Sequence, residues 1–354
     1  MLLSICTIFY IKKMNLQMKA VFILIFMLGS MVSFAQKKAL TIKPGIIWTD
    51  TDSEPINAHG GGILYYGNTY YFYGEIKKGP TWLVPYQSWE CYRVPAGGIS
   101  CYSSKDLVNW KNEGIVLRST TGDSSSDLDT SKVIERPKVI YNSKTGKFVM
   151  WMHIDKNDYS YSRSGVAVSD QPIGPFKYLN SVWPNESTAR DMTIFQDEDG
   201  KAYHFFTSEQ NNTMHVVLLT DDYLSHTKVE KRILVNKIQE APAVFKYKKK
   251  YYLITSQCTG WAPNPPSLAI TDNIMGEWIQ YENPCKGKKG ETTFLSQSTF
   301  VLPLKGKSGS FIFMADRWNK SNLEDSRYIW LPLKMIDGKP EIKWYNKWNL
   351  FQLP

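Results

Sequence analysis

Glu240-Ala241-Pro242-Ala243-Val244-Phe245 sets an acidic residue directly ahead of an apolar run, and Lys248-Lys249-Lys250 then parts it from a second run, Tyr251-Tyr252-Leu253-Ile254. The same arrangement recurs on both sides. Asp191-Met192-Thr193-Ile194-Phe195 passes through Asp197-Glu198-Asp199-Gly200 to Ala202-Tyr203-His204-Phe205-Phe206. Glu135-Arg136-Pro137-Lys138-Val139-Ile140 passes through Asn142-Ser143-Lys144-Thr145-Gly146 to Phe148-Val149-Met150-Trp151. Gln297-Ser298-Thr299-Phe300-Val301 precedes a Gly-Lys turn and Phe311-Ile312-Phe313-Met314. Asn57-Ala58-His59-Gly60-Gly61-Gly62-Ile63-Leu64 precedes Tyr66-Gly67-Asn68 and Tyr70-Tyr71-Phe72-Tyr73. Each is a short apolar run, a polar turn and an aromatic run, which is the signature of a hairpin.

Further strands follow in several units. Gly98-Ile99-Ser100-Cys101-Tyr102-Ser103, Gly165-Val166-Ala167-Val168-Ser169 and Ser267-Leu268-Ala269-Ile270-Thr271 read as third strands. Leu107-Val108-Asn109-Trp110, Gly174-Pro175-Phe176-Lys177-Tyr178 and Gly276-Glu277-Trp278 read as outermost strands, each anchored by an aromatic. Helical periodicity is nearly absent. Five repeated four-strand units predict an all-β, five-bladed β-propeller. The units start near residues 58, 135, 191, 240 and 297, and the uneven spacing implies insertions, most clearly at 79–97 and 118–130. Nothing divides off a second domain, so 36–354 is expected to be one catalytic propeller.

The chain has 354 residues, 14% of them aromatic, and a formal net charge of +9. β-rich proteins favour aromatics, so the abundance alone does not argue for sugar stacking. The lysines scatter through turns, and no basic helix or stacking motif supports nucleic-acid binding. Met18-Lys19-Ala20, the apolar Val21–Leu28 and the small-residue ending Ser33-Phe34-Ala35-Gln36 read as an export signal cut after Ala35. The apolar run is short for a membrane span. The expected destination is the periplasm or the exterior, with no membrane association after cleavage. Cys91, Cys101, Cys258 and Cys285 remain, fitting no zinc pattern. Cys91 with Cys101 could close a loop, and a free buried thiol suits each equally.

In a propeller the first strand of each blade lines the central channel. The residues that begin those strands, His59 or Asn57, Glu135, Asp191, Glu240 and Gln297, are therefore expected to converge at one end. One acidic residue ahead of a strand is more often a turn or cap. Three at matching places in successive repeats point to a shared site. Paired carboxylates suit glycosidic cleavage, which needs a proton donor and an opposing base or nucleophile. Burial and like-charge crowding raise one carboxyl pKa so that it keeps its proton near neutrality. His59 reads as a hydrogen-bonded pore residue, not a metal ligand; no second His lies at ligand spacing, so no metal or cofactor is expected. Arg190, Arg317 and Arg327 are expected to pair with the central acids, although Asp316-Arg317 also reads as structural.

At these residues the chain resembles glycoside hydrolase family 43, and within it the branch of exo-acting β-1,3-galactanases. The shared words include Ala58-His59-Gly60-Gly61-Gly62-Ile63-Leu64, Tyr73-Gly74-Glu75, Glu135-Arg136-Pro137-Lys138, Arg190-Asp191, Glu240-Ala241-Pro242, Gly260-Trp261-Ala262-Pro263-Asn264-Pro265, Ser296-Gln297-Ser298 and Asp316-Arg317-Trp318. The resemblance implies that Glu240 is the general acid and that Asp191 orients it and tunes its pKa. The wider family carries an aspartate base on the first blade, where this chain has Asn57-Ala58-His59. In the galactanase-like branch that absence is shared, and Gln297 matches the glutamine that handles the water; Glu135 matches an essential glutamate and is chemically the better base. Glu75, Tyr159, Trp261, Cys258, His59 and Arg317 are implied in substrate binding, with Cys258 where relatives carry a hydroxyl.

The expected protein is a secreted inverting glycosidase that removes terminal β-1,3-linked galactose from galactan or arabinogalactan. It is expected to act as a monomer without cofactors and without nucleic-acid partners. An α-L-arabinofuranosidase or β-xylosidase of the same family, or a non-catalytic carbohydrate-binding propeller, are the alternatives.

Overall fold

The computed structural model describes residues 40–354 except Tyr86, Phe351, Gln352 and Pro354; the proposed export signal lies outside the described residues. From Thr41 on, the described chain is built of β-sheets whose main strands pair antiparallel. Three single 3₁₀ turns, Pro184–Glu186, Gly290–Thr292 and Leu323–Asp325, are the only helical pieces among the described residues.

Five blades follow one another around an axis. The first contains β1 (His59–Tyr66) and β2 (Thr69–Lys77), a small inserted hairpin of β3 (Trp82–Leu83) and β4 (Tyr92–Arg93), then β5 (Ala96–Ser104) and β6 (Lys111–Leu117). The second is β7 (Lys132–Asn142), β8 (Lys147–Lys156), β9 (Arg163–Ser169) and β10 (Lys177–Val182). The third is β11 (Met192–Gln196), β12 (Ala202–Ser208), β13 (Thr213–Leu219) and β14 (His226–Ile233). The fourth is β15 (Gln239–Tyr247), β16 (Lys250–Gln257), β17 (Pro266–Thr271) and β18 (Ile279–Tyr281). The fifth joins β20 (Gln297–Pro303), β21 (Ser310–Arg317), β22 (Arg327–Ile336) and β23 (Lys339–Lys343), and β19 (Cys285–Lys286) adds a parallel outer strand against β23.

The expected five-bladed propeller is therefore the observed fold. The outermost strands begin later than expected. Trp110, Phe176 and Trp278 are buried but end the turns that enter β6, β10 and β18. An aromatic locked into the seam fixes where the edge strand starts, so it need not be part of that strand. The four described cysteines are all free thiols.

Alternation along each strand sends successive side chains to opposite faces, so every blade packs on both neighbours. Phe205 joins the seam with the fourth blade and Phe206 the seam with the second. The ring closes where Phe72 and Trp110 of the first blade meet Leu302, Ile312 and Trp330 of the fifth. The N-terminal segment completes that seam: Ile42 and Trp348 exchange backbone hydrogen bonds of 2.8 and 3.0 Å.

Candidate active site

The inner strands carry a repeated irregularity at the end where the polar residues lie. Register shifts between His59 and Gly62 in β1, between Glu135 and Lys138 in β7 and between Glu240 and Ala243 in β15. Inside each shift sits one left-handed residue: Gly60 (φ 57°), Arg136 (φ 56°) and Ala241 (φ 56°). Such bulges re-aim the neighbouring side chain out of the strand plane, and they uncover backbone groups that must find partners. Neighbouring blades supply them. Lys138 Nζ donates to Gly60 O at 2.8 Å, Thr299 Oγ1 to Gly61 O at 2.7 Å and Ser298 Oγ to Ala241 O at 2.6 Å.

The result is one cavity of about 490 Å³ lined by Glu75, Glu135, Asp191, Glu240, Gln297, Tyr159, Trp261 and Cys258. That brings together eight of the ten residues singled out from the sequence. His59 and Arg317 are not among its walls. The His59 ring pairs with Asp316 Oδ1 at 3.0 Å and stacks on Tyr328 with centroids 4.9 Å apart. It anchors the bulge that Gly60 N–H completes by donating to Asp316 Oδ2 at 3.0 Å. Arg317 donates to the carbonyls of Phe294 (2.7 Å) and Leu295 (3.3 Å), holding a left-handed stretch of loop. Neither fits the substrate-binding role expected of it. The expected pairing of Arg190, Arg317 and Arg327 with the central acids is also replaced. Arg190 reaches Ser162 Oγ and Tyr159 O, and Arg327 pairs with Asp325.

The arginine that serves the acids is Arg136. Its Nη2 lies 2.8 Å from Asp191 Oδ2 and 2.5 Å from Gln297 Oε1, and its Nη1 donates to Ser298 O at 2.9 Å. Asp191 Oδ2 also accepts from Ala241 N–H at 3.1 Å. Gln297 Oε1 takes a second bond from Trp318 Nε1 at 2.9 Å, so its amide can face only one way, and Nε2 donates to Glu240 Oε1 at 2.6 Å. Burial, then the charge of Asp191, pushes the Glu240 carboxyl up to about 8. Asn211 Nδ2 approaches both Glu240 Oε2 (3.4 Å) and Cys258 Sγ (3.2 Å). Burial and the neighbouring Glu240 push the Cys258 thiol up to about 12, so it stays protonated and unreactive.

Glu135 has a different environment. Lys77 Nζ lies 2.9 Å away, Arg93 Nη1 3.5 Å and His153 Nδ1 3.7 Å, and Tyr159 donates its hydroxyl at 3.1 Å. Burial opposes ionisation, but Lys77 and the nearby His153 and Arg93 outweigh it and hold this carboxyl well below the usual range. Burial disfavours charge on His153 too, yet Asp155 and Glu135 push it up to about 9. Glu75 sits 3.4 Å from Lys77, and its Oε2 is buried without a partner. Its burial, offset in part by Lys77 and reinforced by Glu135, lifts it to about 8. A protonated carboxyl with one unpartnered oxygen on a cavity wall is ready to bond a hydroxyl group.

Glu135, His153 and Asp191 each offer a ligand atom within one 4.8 Å cluster. The cations there are already supplied by Lys77, Arg93 and Arg136, and His153 retains its proton. The donor set therefore suits ion pairing better than a metal.

Arg136, Lys77, Arg93, His153, Asn211 and Trp318 escaped the sequence reading. Arg136 and Trp318 stand inside the motif words; a basic residue beside a repeated acid was the available signal. Arg93 comes from the inserted hairpin, and His153 faces Glu135 through the β7–β8 register; nothing local marks either.

The family model for glycosyl hydrolases family 43 matches residues 50–297. A search of curated proteins found no match. Among solved structures, a family 43 β-1,3-galactosidase is 41% identical, with TM-score 0.82, over 88% of this chain and 64% of its own. A second β-1,3-galactosidase, solved with galactodeoxynojirimycin, is 42% identical, with TM-score 0.80, over 87% of this chain and 100% of its own. The exo-β-1,3-galactanase of Phanerochaete chrysosporium, solved with galactose, is 36% identical, with TM-score 0.79, over 88% of this chain and 68% of its own. This chain thus spans about two thirds of the length of the first and third of these relatives.

Proposed function

Since the chain belongs to family 43 of the glycosyl hydrolases, we propose that it releases terminal β-1,3-linked galactose from galactan, including the backbone of arabinogalactan, by single displacement with inversion. The observation that carries the reading is the Glu240 carboxyl, lifted to about 8 and bonded to Gln297 in one cavity with Asp191 and Glu135. A carboxyl with that pKa holds a proton at neutral pH and can give it to the leaving oxygen. Asp191 keeps the proton on Glu240 by its charge and, through Ala241 N–H, fixes the bulge from which Glu240 projects. Water is held on the opposite face between Gln297 and Glu135. Glu75, Tyr159 and Trp261 contact the sugar ring.

Two residues compete for the water's proton. Glu135 is a carboxylate, but three cationic neighbours make it a weak base. Gln297 is an amide whose oxygen already accepts two bonds, so its support is positional. Azide rescue separates them: a small anion replaces the water in an inverting site only where the proton acceptor has been removed. Glu135→Ala rescued by azide identifies Glu135, and rescue confined to Gln297→Ala excludes it.

The substrate is tested by incubating the pure protein with β-1,3-galactan, arabinan and xylan oligomers. Galactose as the released sugar supports the proposal; arabinose or xylose makes it an arabinofuranosidase or xylosidase, and binding without release makes it a lectin-like propeller. Proton NMR of the first-formed sugar gives the α anomer if the linkage inverts; a β anomer rejects inversion. Residues 1–35 act as an export signal in this reading, so N-terminal sequencing of the exported protein should begin at Gln36. Light scattering should give a monomer.

A further inference from the structure

The inserted segment between β2 and β5 crosses the mouth of the cavity. It leaves the first blade and is fastened to the β21–β22 loop of the fifth: Leu323 N–H donates to Thr81 Oγ1 at 3.0 Å, Gly79 N–H to Glu324 Oε2 at 3.3 Å, and Lys320 pairs with Glu90. Its tip reaches the fourth blade, where Trp89 lies so close to Gly260 that a Cβ there would stand 3.0 Å from the ring. On the second blade, Trp89 packs on Tyr159 with centroids 5.5 Å apart, and Cys91 Sγ and Arg93 Nε donate to Asn157 O, both at 3.4 Å. Arg93 then reaches down to Glu135. Among the described residues no hydrogen bond, ion pair or ring contact joins this segment to the third blade. There the corresponding β12–β13 connection is the short turn Glu209–Asn212, and Gln210 and Asn211 line the cavity.

The proton donor lies on that open side. Glu240 Oε2 is 3.4 Å from Asn211 Nδ2, while Glu135 stands under the covered side. The leaving chain must depart past the proton donor. The sugar being released must therefore sit on the covered side.

We propose that residues 79–85 and 87–93 form a strap that closes the far end of the sugar-binding funnel and confines cleavage to the last residue of a chain. The inference rests on the glycosidase reading above. The strap works by exclusion: a further sugar beyond the bound ring would occupy the space of Trp89.

The test replaces residues 84–91 by Asn-Gly. That two-residue turn suits the Leu83–Tyr92 pair and leaves Arg93 in place. Two β-1,3-galacto-oligosaccharides serve as substrates, one open and one with a bulky acetal across O4 and O6 of its terminal galactose. The unaltered protein should take galactose from the open chain and leave the blocked one intact. The shortened protein should cut the blocked chain internally, releasing acetal-bearing oligosaccharides, with the blocked-to-open rate ratio raised at least about tenfold. Trp89→Ala, which leaves the hairpin in place, should give the same products more slowly and decides the matter if the shortened protein does not fold. Blocked chains cut by the unaltered protein, or left intact by a folded variant, overturn the strap. Turnover of arabinan or xylan oligomers in place of galactan rejects the substrate alone, and the comparison is then made with blocked versions of that glycan. Turnover of none rejects both.

Discussion

Glu240 and Glu135 are both buried carboxyls in the same cavity, and their neighbours drive them apart. Glu240 faces Asp191 and an amide; Glu135 faces Lys77, Arg93 and a protonated His153. Acid and anion are thereby separated by environment and not by residue type. Turnover should accordingly fall as pH rises through about 8, where Glu240 loses its proton, and a pH–kcat profile checks this. Glu240→Gln should lower kcat by about 10²–10⁴-fold on unactivated glycans, and by less on an aryl glycoside with a good leaving group. The same substitution should change stability in the opposite sense. The folded-state pKa of about 8 lies above the ordinary 4.5, so the favourable contribution is complete below about 4.5 and is lost as pH rises through about 8. Thermal melts should show Glu240→Gln gaining on the parent protein as pH is raised across that window, with no such gain developing below it. Arg136→Met should cost activity by freeing Gln297 and Asp191. Loss of its positive charge should also move the alkaline limb upward, an effect that a purely structural arginine would not have.

The bulged start of the inner strand decides how an element becomes a site. Gly60, Arg136 and Ala241 adopt the left-handed region one residue after His59, Glu135 and Glu240, at a cost of about 1–3 kcal/mol each for the non-glycine cases. The first blade meets this demand with consecutive glycines. At Gly61 a Cβ would lie 1.9 Å from Tyr73 O, and at Gly62 one would lie 2.7 Å from Lys138 Cδ. The first of these neighbours is backbone and cannot yield. Gly61→Ala should therefore destabilise the fold by more than about 3 kcal/mol, while Gly62→Ala, which meets side-chain atoms of the buried, hydrogen-bonded Lys138, should also destabilise but by less, because a side chain can shift where backbone cannot; urea titrations of the two variants give the comparison. The repeat of acid, spacer and apolar strand was legible in the sequence. The bulge was not, because arginine and alanine give no local sign of positive φ. Asp191 shows that the motif alone does not impose it: this acid precedes β11, whose pairing with β12 runs without a shift.

Across the whole molecule, five seams carry the hydrophobic core, and each depends on period-two alternation in two blades. The ring has no covalent closure among the described residues; the first and fifth blades meet through side chains, the short pairing of Ile42 with Trp348 and the bond from Gly45 N–H to Tyr328 O. Trp348 is buried in that seam and donates Nε1–H to Trp330 O at 2.9 Å. Trp348→Ala should lower stability by about 3–5 kcal/mol. Because it loosens the joint between the blades that hold His59 and Gln297, activity should fall at temperatures below the main melting transition, which parallel activity and unfolding curves would reveal.

The sequence by itself determined the five hairpin repeats, the all-β propeller and the four polar residues that open its inner strands. Those follow from alternation and turn chemistry, which are local. It also marked Glu75 and Trp261, which stand inside motif words, while Tyr159 and Cys258 lie outside those words and came only with the family resemblance. Only the tertiary structure decided which arginine serves the acids, that His59 and Arg317 brace backbone instead of facing the cavity, and that the 79–93 insertion spans it. Those outcomes depend on distances between blades far apart along the chain, and hydrogen-bond directions at bulges are set by the partner that arrives from the neighbouring blade.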